Sequence, residues 1–297
     1  MKKLSERQQL QVANERNMEV FKHNDMIQKA RFSLSVQEQR TVLYAISKIQ
    51  PEDTYLKEYV FDIKDFYNVI GWKNESYTEF KNMIGKLSDK GWTITLPDGT
   101  DSRVRWFTTA RSNKRTGKVT LEFHKDMMPY LIELAKQNVF YTSFNLKYVL
   151  PMSCQYAPRL YEILKSYGNN EEWFFEIDDL KRLLDCQNYV RFPDFRRYVL
   201  EPAINEINKY TDLCVRYEDQ REGRKVTRIY FYLSEKTKSE VWAAEREVVR
   251  ALDGQRSDEE IRKDLANSEK AKFHAEREKA KEEDRVLQER LNRLAKK

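Results

Sequence analysis

The chain has 297 residues, of which 40% are apolar, enough to bury one or two cores, and its length favours two domains. No apolar run approaches the roughly 18 to 20 residues that cross a bilayer, and the opening MKKLSERQQLQVANERN lacks the apolar centre of a signal peptide, so no membrane partner and a cytoplasmic setting are expected. The formal charge of +6 is unevenly spread: Lys81 to Lys118 holds nine basic and three acidic residues, which suits a polyanion, the alternative being a merely solvated surface.

Residues 1–25 are polar and glutamine-rich and read as a flexible arm with some helical tendency. From Ser35, SVQEQRTVLYAISKI opens with a serine cap and places Val42, Leu43, Ile46 and Ile49 at helical spacing, ending before Pro51. Tyr59 to Asp62 reads as a strand, Ile63 to Ile70 as a short helix stopped by Gly71, and Tyr77 to Lys90 as a longer helix ended by Gly91. Trp92 to Leu96 and Val104 to Thr109 flank Pro97-Asp98-Gly99, a hairpin signal. Val119, Leu121 and Phe123 alternate as another strand, Asp126 to Gln137 reads as helix, and Phe140 to Tyr148 as an extended connector, closing a first domain of 26–150.

The same order then returns over 151–235. Tyr156 to Tyr167 reads as helix, Trp173 to Glu176 as strand, Ile177 to Leu184 as a short helix, and Phe192 to Lys209 as a longer one. In that last helix Phe195, Val199, Ala203 and Ile207 share one sector, while Arg197, Glu201, Asn205 and Asn208 share the opposite one. Pro202 is expected to bend it, because proline removes a helical hydrogen bond. Thr211 to Glu218 and Val226 to Leu233 alternate around the charged loop Asp219 to Lys225, a two-stranded wing. The repeat extends to individual residues, since YVFDIKDFYNVIG from Tyr59 matches WFFEIDDLKRLLD from Trp173, 114 positions on. The expected fold is α+β, two tandem winged-helix domains, with a chance match of amphipathic helices as the alternative. In residues 236–297 charge dominates, with 31 of the last 60 residues charged and no sustained apolar pattern, so a charged tail of frayed or isolated helices, building no core, is expected.

The three histidines are isolated, which disfavours a nicking nuclease, and no glycine pair has phosphate-loop spacing with a following lysine. Three cysteines without a CxxC pair suggest neither a disulfide framework nor a zinc site. Asp178-Asp179 opens a short helix, where acidic residues stabilise the positive end, so neither a metal, a cofactor nor a catalytic group is assigned. DNA-binding equipment remains. Arg191, Arg196 and Arg197 cluster at the N-terminal end of the long helix, the end that helix-turn-helix proteins set against base edges. The alternative pairs Arg197 with Glu201 and Arg196 with Asp194. Asn205 and Lys209 could extend the footprint, and Arg221, Arg224 and Lys225 on the wing suit phosphates.

NDMIQKARFSLSVQEQRTVLYAISKI, APRLYEILKSY, FPDFRRYVLEPAINEINKYTDL and GRKVTRIYFYL together resemble the replication initiator (Rep) proteins of iteron-controlled, theta-replicating plasmids. The resemblance covers about Asn24 to Leu233. It implies binding of directly repeated origin sites in double-stranded plasmid DNA, origin melting, recruitment of the host replicative helicase and host initiator, and a self-associated dimer that represses. It also implies that the second domain's helix, with Arg191, Arg196 and Arg197, carries the main base contacts, while the first domain contacts the other half of the repeat. Through the internal repeat Lys81 and Asn82 match Arg196 and Arg197, Lys86 lies a turn further, and Arg103 and Arg105 sit on or beside the first wing. The rival readings are a winged-helix transcription repressor and a nicking initiator.

Overall fold

The structure is a computed structural model that describes residues 5–50, 53–72, 76–96, 98–132, 134, 139–168, 171–254, 259–262, 266, 267 and 285. The chain ends contribute a small unit, and Arg16–Gly254 forms the large one.

The stretch expected to be a flexible arm is folded from Glu6. Helix α1 covers Glu6–Arg16, strand β1 Glu19–His23 and helix α2 Asn24–Lys29. Strand β1 pairs antiparallel with Tyr141–Asn145 (β7), turning Val20 and Lys22 inward. Lys22 is 1% exposed and its Nζ lies 2.8 Å from Glu162 Oε2. Arg159 shares that carboxylate at 3.3 Å and donates to the Ile27 and Ala30 carbonyls at 2.6 and 2.8 Å. An alternation whose inward residues include a lysine does not look amphipathic, which is why the strand is hidden in the sequence.

The first winged helix follows the expected order. The Ser35–Glu38 capping box starts α3, Val36–Ile46. Strand β2 (Glu58–Asp62) leads into α4 (Ile63–Ile70), and Ser76 caps α5 (Tyr77–Asp89). Tyr44, Phe61, Phe66 and Phe80 from these elements pack together at its centre, with Tyr44 edge-on to Phe61 at 5.2 Å and Phe66 edge-on to Phe80 at 5.6 Å.

After α5 the structure departs from expectation. The strand expected over Val104 to Thr109 is two strands, broken at the fully buried Trp106. Strands β3 (Gly91–Thr95) and β4 (Asp101–Arg105) form a separate two-stranded hairpin, whereas β5 (Phe107–Asn113) and β6 (Lys118–Phe123) join β2 in a sheet of order β2-β6-β5. Pro97, in the expected turn, and Pro51 lie outside the described residues. The helix expected over 126–137 begins as a 3-10 turn, Lys125–Met127, and α6, Met128–Leu131; residues 133 and 135–138 lie outside the described residues. The expected connector is β7 followed by α7, Leu146–Val149.

In the second winged helix α8 (Ala157–Ser166), β8 (Glu172–Glu176) and α9 (Ile177–Leu183) precede the long helix, and β9 (Leu213–Glu222) and β10 (Lys225–Glu235) follow it. The sheet order β8-β10-β9 repeats β2-β6-β5 strand for strand. The repeat also survives in backbone conformation: Gly71 after α4 has φ +67°, and Asp185, its counterpart after α9, has φ +51°. Aspartate is among the few side chains that accept this left-handed turn.

The chain beyond Glu235 is not a tail from its start. Thr237 and Glu240 form a capping box that opens α12, Lys238–Asp253, which buries Ala244 and Val248 and packs near α7 and the second domain's long helix. Lys147 Nζ meets Glu245 Oε1 at 2.5 Å, and Arg16 Nη1 meets Asp253 Oδ1 at 2.8 Å. Its periodicity is hard to see in the sequence because only two of its residues are fully buried and the rest are charged or half-exposed. Most of the expected tail past Gly254 lies outside the described residues.

Glu162→Gln strands two buried cations without their anion and is expected to destabilise the chain by about 3–5 kcal/mol, read from its urea unfolding midpoint. A chain ended after Glu235 is expected to melt below one ended after Gly254, because removing α12 uncovers apolar surface; equal melting temperatures would show that the helix adds nothing.

Candidate nucleic-acid interface

The long helix of the second domain is built in three pieces: α10 (Phe192–Phe195), a π-helical turn at Arg196–Leu200, and α11 (Glu201–Tyr210). In the π turn the Glu201 N–H reaches back five residues to the Arg196 carbonyl, and Pro202, which has no N–H, then falls in the first turn of α11. The disruption expected at Pro202 is thus taken up as one wide turn ahead of it.

The helix's inner side is anchored by polar groups as well as by its buried apolar residues. Glu206 accepts from the Ser153 and Cys154 backbone N–H groups at 3.0 and 2.9 Å, tying α11 to the segment before α8. Asn208, placed by the sequence on the outward side, bonds Val215 in both directions: its Nδ2 donates to the Val215 carbonyl at 2.9 Å, and its Oδ1 accepts from the Val215 N–H at 2.7 Å, which pins β9. Lys236 donates to the Asn208 and Thr211 carbonyls and secures the end of the helix. With these partners fixed inside, the exposed side is left for a ligand.

Arg191, Arg196, Arg197 and Asn205 are all at least partly exposed along this helix. The pairing differs from both sequence alternatives. Arg196 Nε donates to Glu201 Oε1 at 2.7 Å, a bond that pushes its pKa up, and Arg191 faces Asp194 at 3.6 Å. Arg197 lies over the Tyr198 ring, 5.3 Å from its centroid, and has no carboxylate partner among the described residues. Lys209 separates from this group, since its Nζ is 3.5 Å from Glu247 of α12. On the wing, Arg221 pairs with Asp219 at 2.7 Å, and Arg224 and Lys225 stand exposed at the tip beside Gly223. The wing is longer than expected, because β9 runs through Glu222 and leaves only a tight turn.

In the first domain Lys81, Asn82 and Lys86 are exposed on α5, and Gly85 between them has nothing within 4 Å of a Cβ position, leaving the backbone bare. Arg103 and Arg105 are exposed on β4. They do not lie on the wing: strand pairing makes β5–β6 the counterpart of β9–β10, so the first wing carries Arg111, Lys114, Arg115 and Lys118. All four are exposed and lack a carboxylate partner among the described residues. They fall inside the basic stretch that the charge pattern marks, without being singled out by it; the turn signal Lys114-Arg115-Thr116-Gly117 before an alternating strand was the available cue.

Among the described residues no group of three His, Cys, Asp or Glu is placed to hold a metal, and no helix is long and apolar enough to cross a membrane. His23 and His124 each accept a hydrogen bond from a backbone N–H two residues ahead, capping the turns that follow.

Comparison with known proteins agrees with this architecture. A stretch 31% identical over 132 residues, 39% of this chain, matches the PI protein of Escherichia coli, covering 43% of that relative and so less than half of its length. An uncharacterized 27.6 kDa protein of Escherichia coli is 24% identical over 177 residues, 58% of this chain and 72% of that one. A crystal structure of the Pi initiator protein in complex with iteron DNA has the same fold, with TM-score 0.63 at 19% identity, over 75% of this chain and 99% of that one. The family model for the Initiator Replication protein, WH1, matches residues 19–165, beginning at the first residue of β1, and that for the Initiator Rep protein, WH2, matches residues 176–233. The chain therefore belongs to the replication initiator (Rep) family, a WH1 winged helix followed by a WH2 winged helix.

Proposed function

We propose that this chain is a plasmid replication initiator that binds directly repeated origin sites in double-stranded DNA. The observation that carries the reading is that both winged helices expose a helix and a wing bearing cations, of which Lys81, Lys86, Arg111, Lys114, Arg115 and Lys118 in the first and Arg197, Arg224 and Lys225 in the second lack a carboxylate partner among the described residues, in a chain that belongs to the Rep family. Such cations suit phosphates, since neutralising a phosphate releases a condensed counterion, whereas a cation already paired must first give up its carboxylate.

In this reading α10 and the π turn enter the major groove, where Arg197 and Arg191 reach base edges and Arg196 exchanges Glu201 for a guanine or a phosphate. Asn205 extends the contact, while Lys209 serves α12. Arg221, Arg224 and Lys225 hold phosphates on one flank. Lys81, Asn82 and Lys86 on α5, with the β5–β6 wing and Arg103 and Arg105 of β4, engage the other half of the repeat. Two modules one helical turn apart cover about 20 base pairs. Bound copies would then melt the origin and recruit the host replicative helicase and host initiator in the bacterial cytoplasm, and a dimer of the chain would repress its own gene. The decisive experiment is selection of duplexes from a random library by the full chain: recovery of one motif of about that length, tandemly repeated beside the coding sequence, is expected, and no enrichment would overturn the reading.

Arg197→Ala is expected to cost roughly 1 to 3 kcal/mol on the selected site and much less on random DNA, measured by anisotropy at fixed salt. Lys114→Ala with Arg115→Ala is expected to weaken both DNAs alike and to lower the salt slope by about one unit for each phosphate left without its cation; an unchanged slope would take the β5–β6 wing off the DNA.

A further inference from the structure

Val190 is the most exposed of the large hydrophobic side chains among the described residues, at 83%, and it sits directly before the long helix, next to Arg191. Isolated exposed aliphatics are ordinary on a surface. This one differs in that both of its backbone polar groups are held. Its N–H donates to the Asn188 carbonyl at 3.0 Å, and its carbonyl accepts from Lys181 Nζ at 3.3 Å. Lys181 is itself 6% exposed, with its ammonium 5.4 Å from the centroid of the buried Phe195 ring. A buried lysine thus fixes the backbone whose side chain is thrown outward.

The second exposed apolar group of the region is similarly supported. Tyr198, 51% exposed in the π turn, lies 6.2 Å from Tyr189, which meets the nearly buried Tyr156 at 6.4 Å, so a chain of three rings runs from the core to the helix surface. In sequence Val190 and Tyr198 bracket Arg191, Arg196 and Arg197, all three exposed. Two supported, exposed apolar side chains that flank three exposed arginines in sequence suit a target that is both anionic and locally apolar. The major groove of DNA offers one such group on its base edges, the 5-methyl of thymine.

We propose that Val190, together with Tyr198, reads thymine, the Val190 methyl groups closing on the 5-methyl of one or two thymines at the edge of the site recognised by the long helix. The inference rests on the DNA-binding reading above and adds a base identity to it. The arginines supply hydrogen bonds to guanine or phosphate, and Val190 supplies apolar contact that a cytosine or a uracil cannot return. Lys181 is a positioning residue, acting only through the Val190 carbonyl.

The test uses the full chain and the duplex selected from the random library, with each thymine replaced in turn by deoxyuridine, which removes the methyl and leaves base pairing intact. The native chain is expected to lose about fourfold in affinity at one or two positions, the equivalent of one buried methyl-sized group. Val190→Ala is expected to bind the unmodified duplex about fourfold more weakly and to show no further weakening at those same positions, because an interaction already absent cannot be removed twice. Deoxyuridine penalties that are the same in Val190→Ala as in the native chain, or a native chain indifferent to deoxyuridine everywhere, would overturn the inference while leaving sequence-specific binding intact. A native chain that prefers no duplex over random DNA would overturn the DNA-binding reading and this inference with it.

Discussion

Lys22, Glu162 and Arg159 meet where water cannot reach them, and much of the relation between the two halves of the large unit depends on that meeting. Burial pulls both cations below their ordinary pKa values, Glu162 opposes it, and the neighbouring Arg159 charge lowers Lys22 further. Two cations on one carboxylate leave an excess positive charge, which the Ile27 and Ala30 carbonyls, at the end of α2, partly offset. One carboxylate therefore joins β1 and α2 to α8, which packs against α11. An apolar cluster could hold the same elements together, but it would tolerate sliding; an ion triad in a dry interior tolerates only the geometry that satisfies every partner.

Helix α12 adds a second brace. Its pairs Lys147–Glu245 and Arg16–Asp253 reach α7 and the end of α1, while Lys209–Glu247 reaches α11 of the second winged helix. These partly exposed pairs contribute less individually than the buried triad. They set the direction of a helix whose apolar stripe, Ala244 and Val248, is narrow. The two winged helices are therefore held by the segments before and after them as well as by each other.

This bracing matters for the helix proposed to meet DNA. Glu206 and Asn208 spend their hydrogen bonds inward, on the segment before α8 and on β9, and the π turn takes up the irregularity that Pro202 imposes. What faces outward is a short surface of arginines with two supported apolar side chains. The net charge of the whole chain says little about this surface, since residues 150–237 carry 14 basic and 15 acidic residues and several of their exposed cations are nevertheless grouped on one helix and one wing tip.

Periodicity and punctuation are local properties, and what they govern was legible in the residues alone. The Ser35–Glu38 capping box, the stop at Gly71 and the alternating strands of the second wing all act over a few positions, so the order of elements through α5 in the first winged helix and throughout the second followed from the sequence. Tertiary structure decided the rest, because it turned on partners far apart in the chain. Lys22 is buried only because Glu162 stands 140 positions away, and α12 packs only because Lys147 and α11 are there to receive it. The first wing is β5–β6, because pairing of β6 with β2 admits one hairpin into the sheet and leaves the other outside it. A side chain's polarity is written in the sequence; whether that polarity is exposed or neutralised is written only in the contacts.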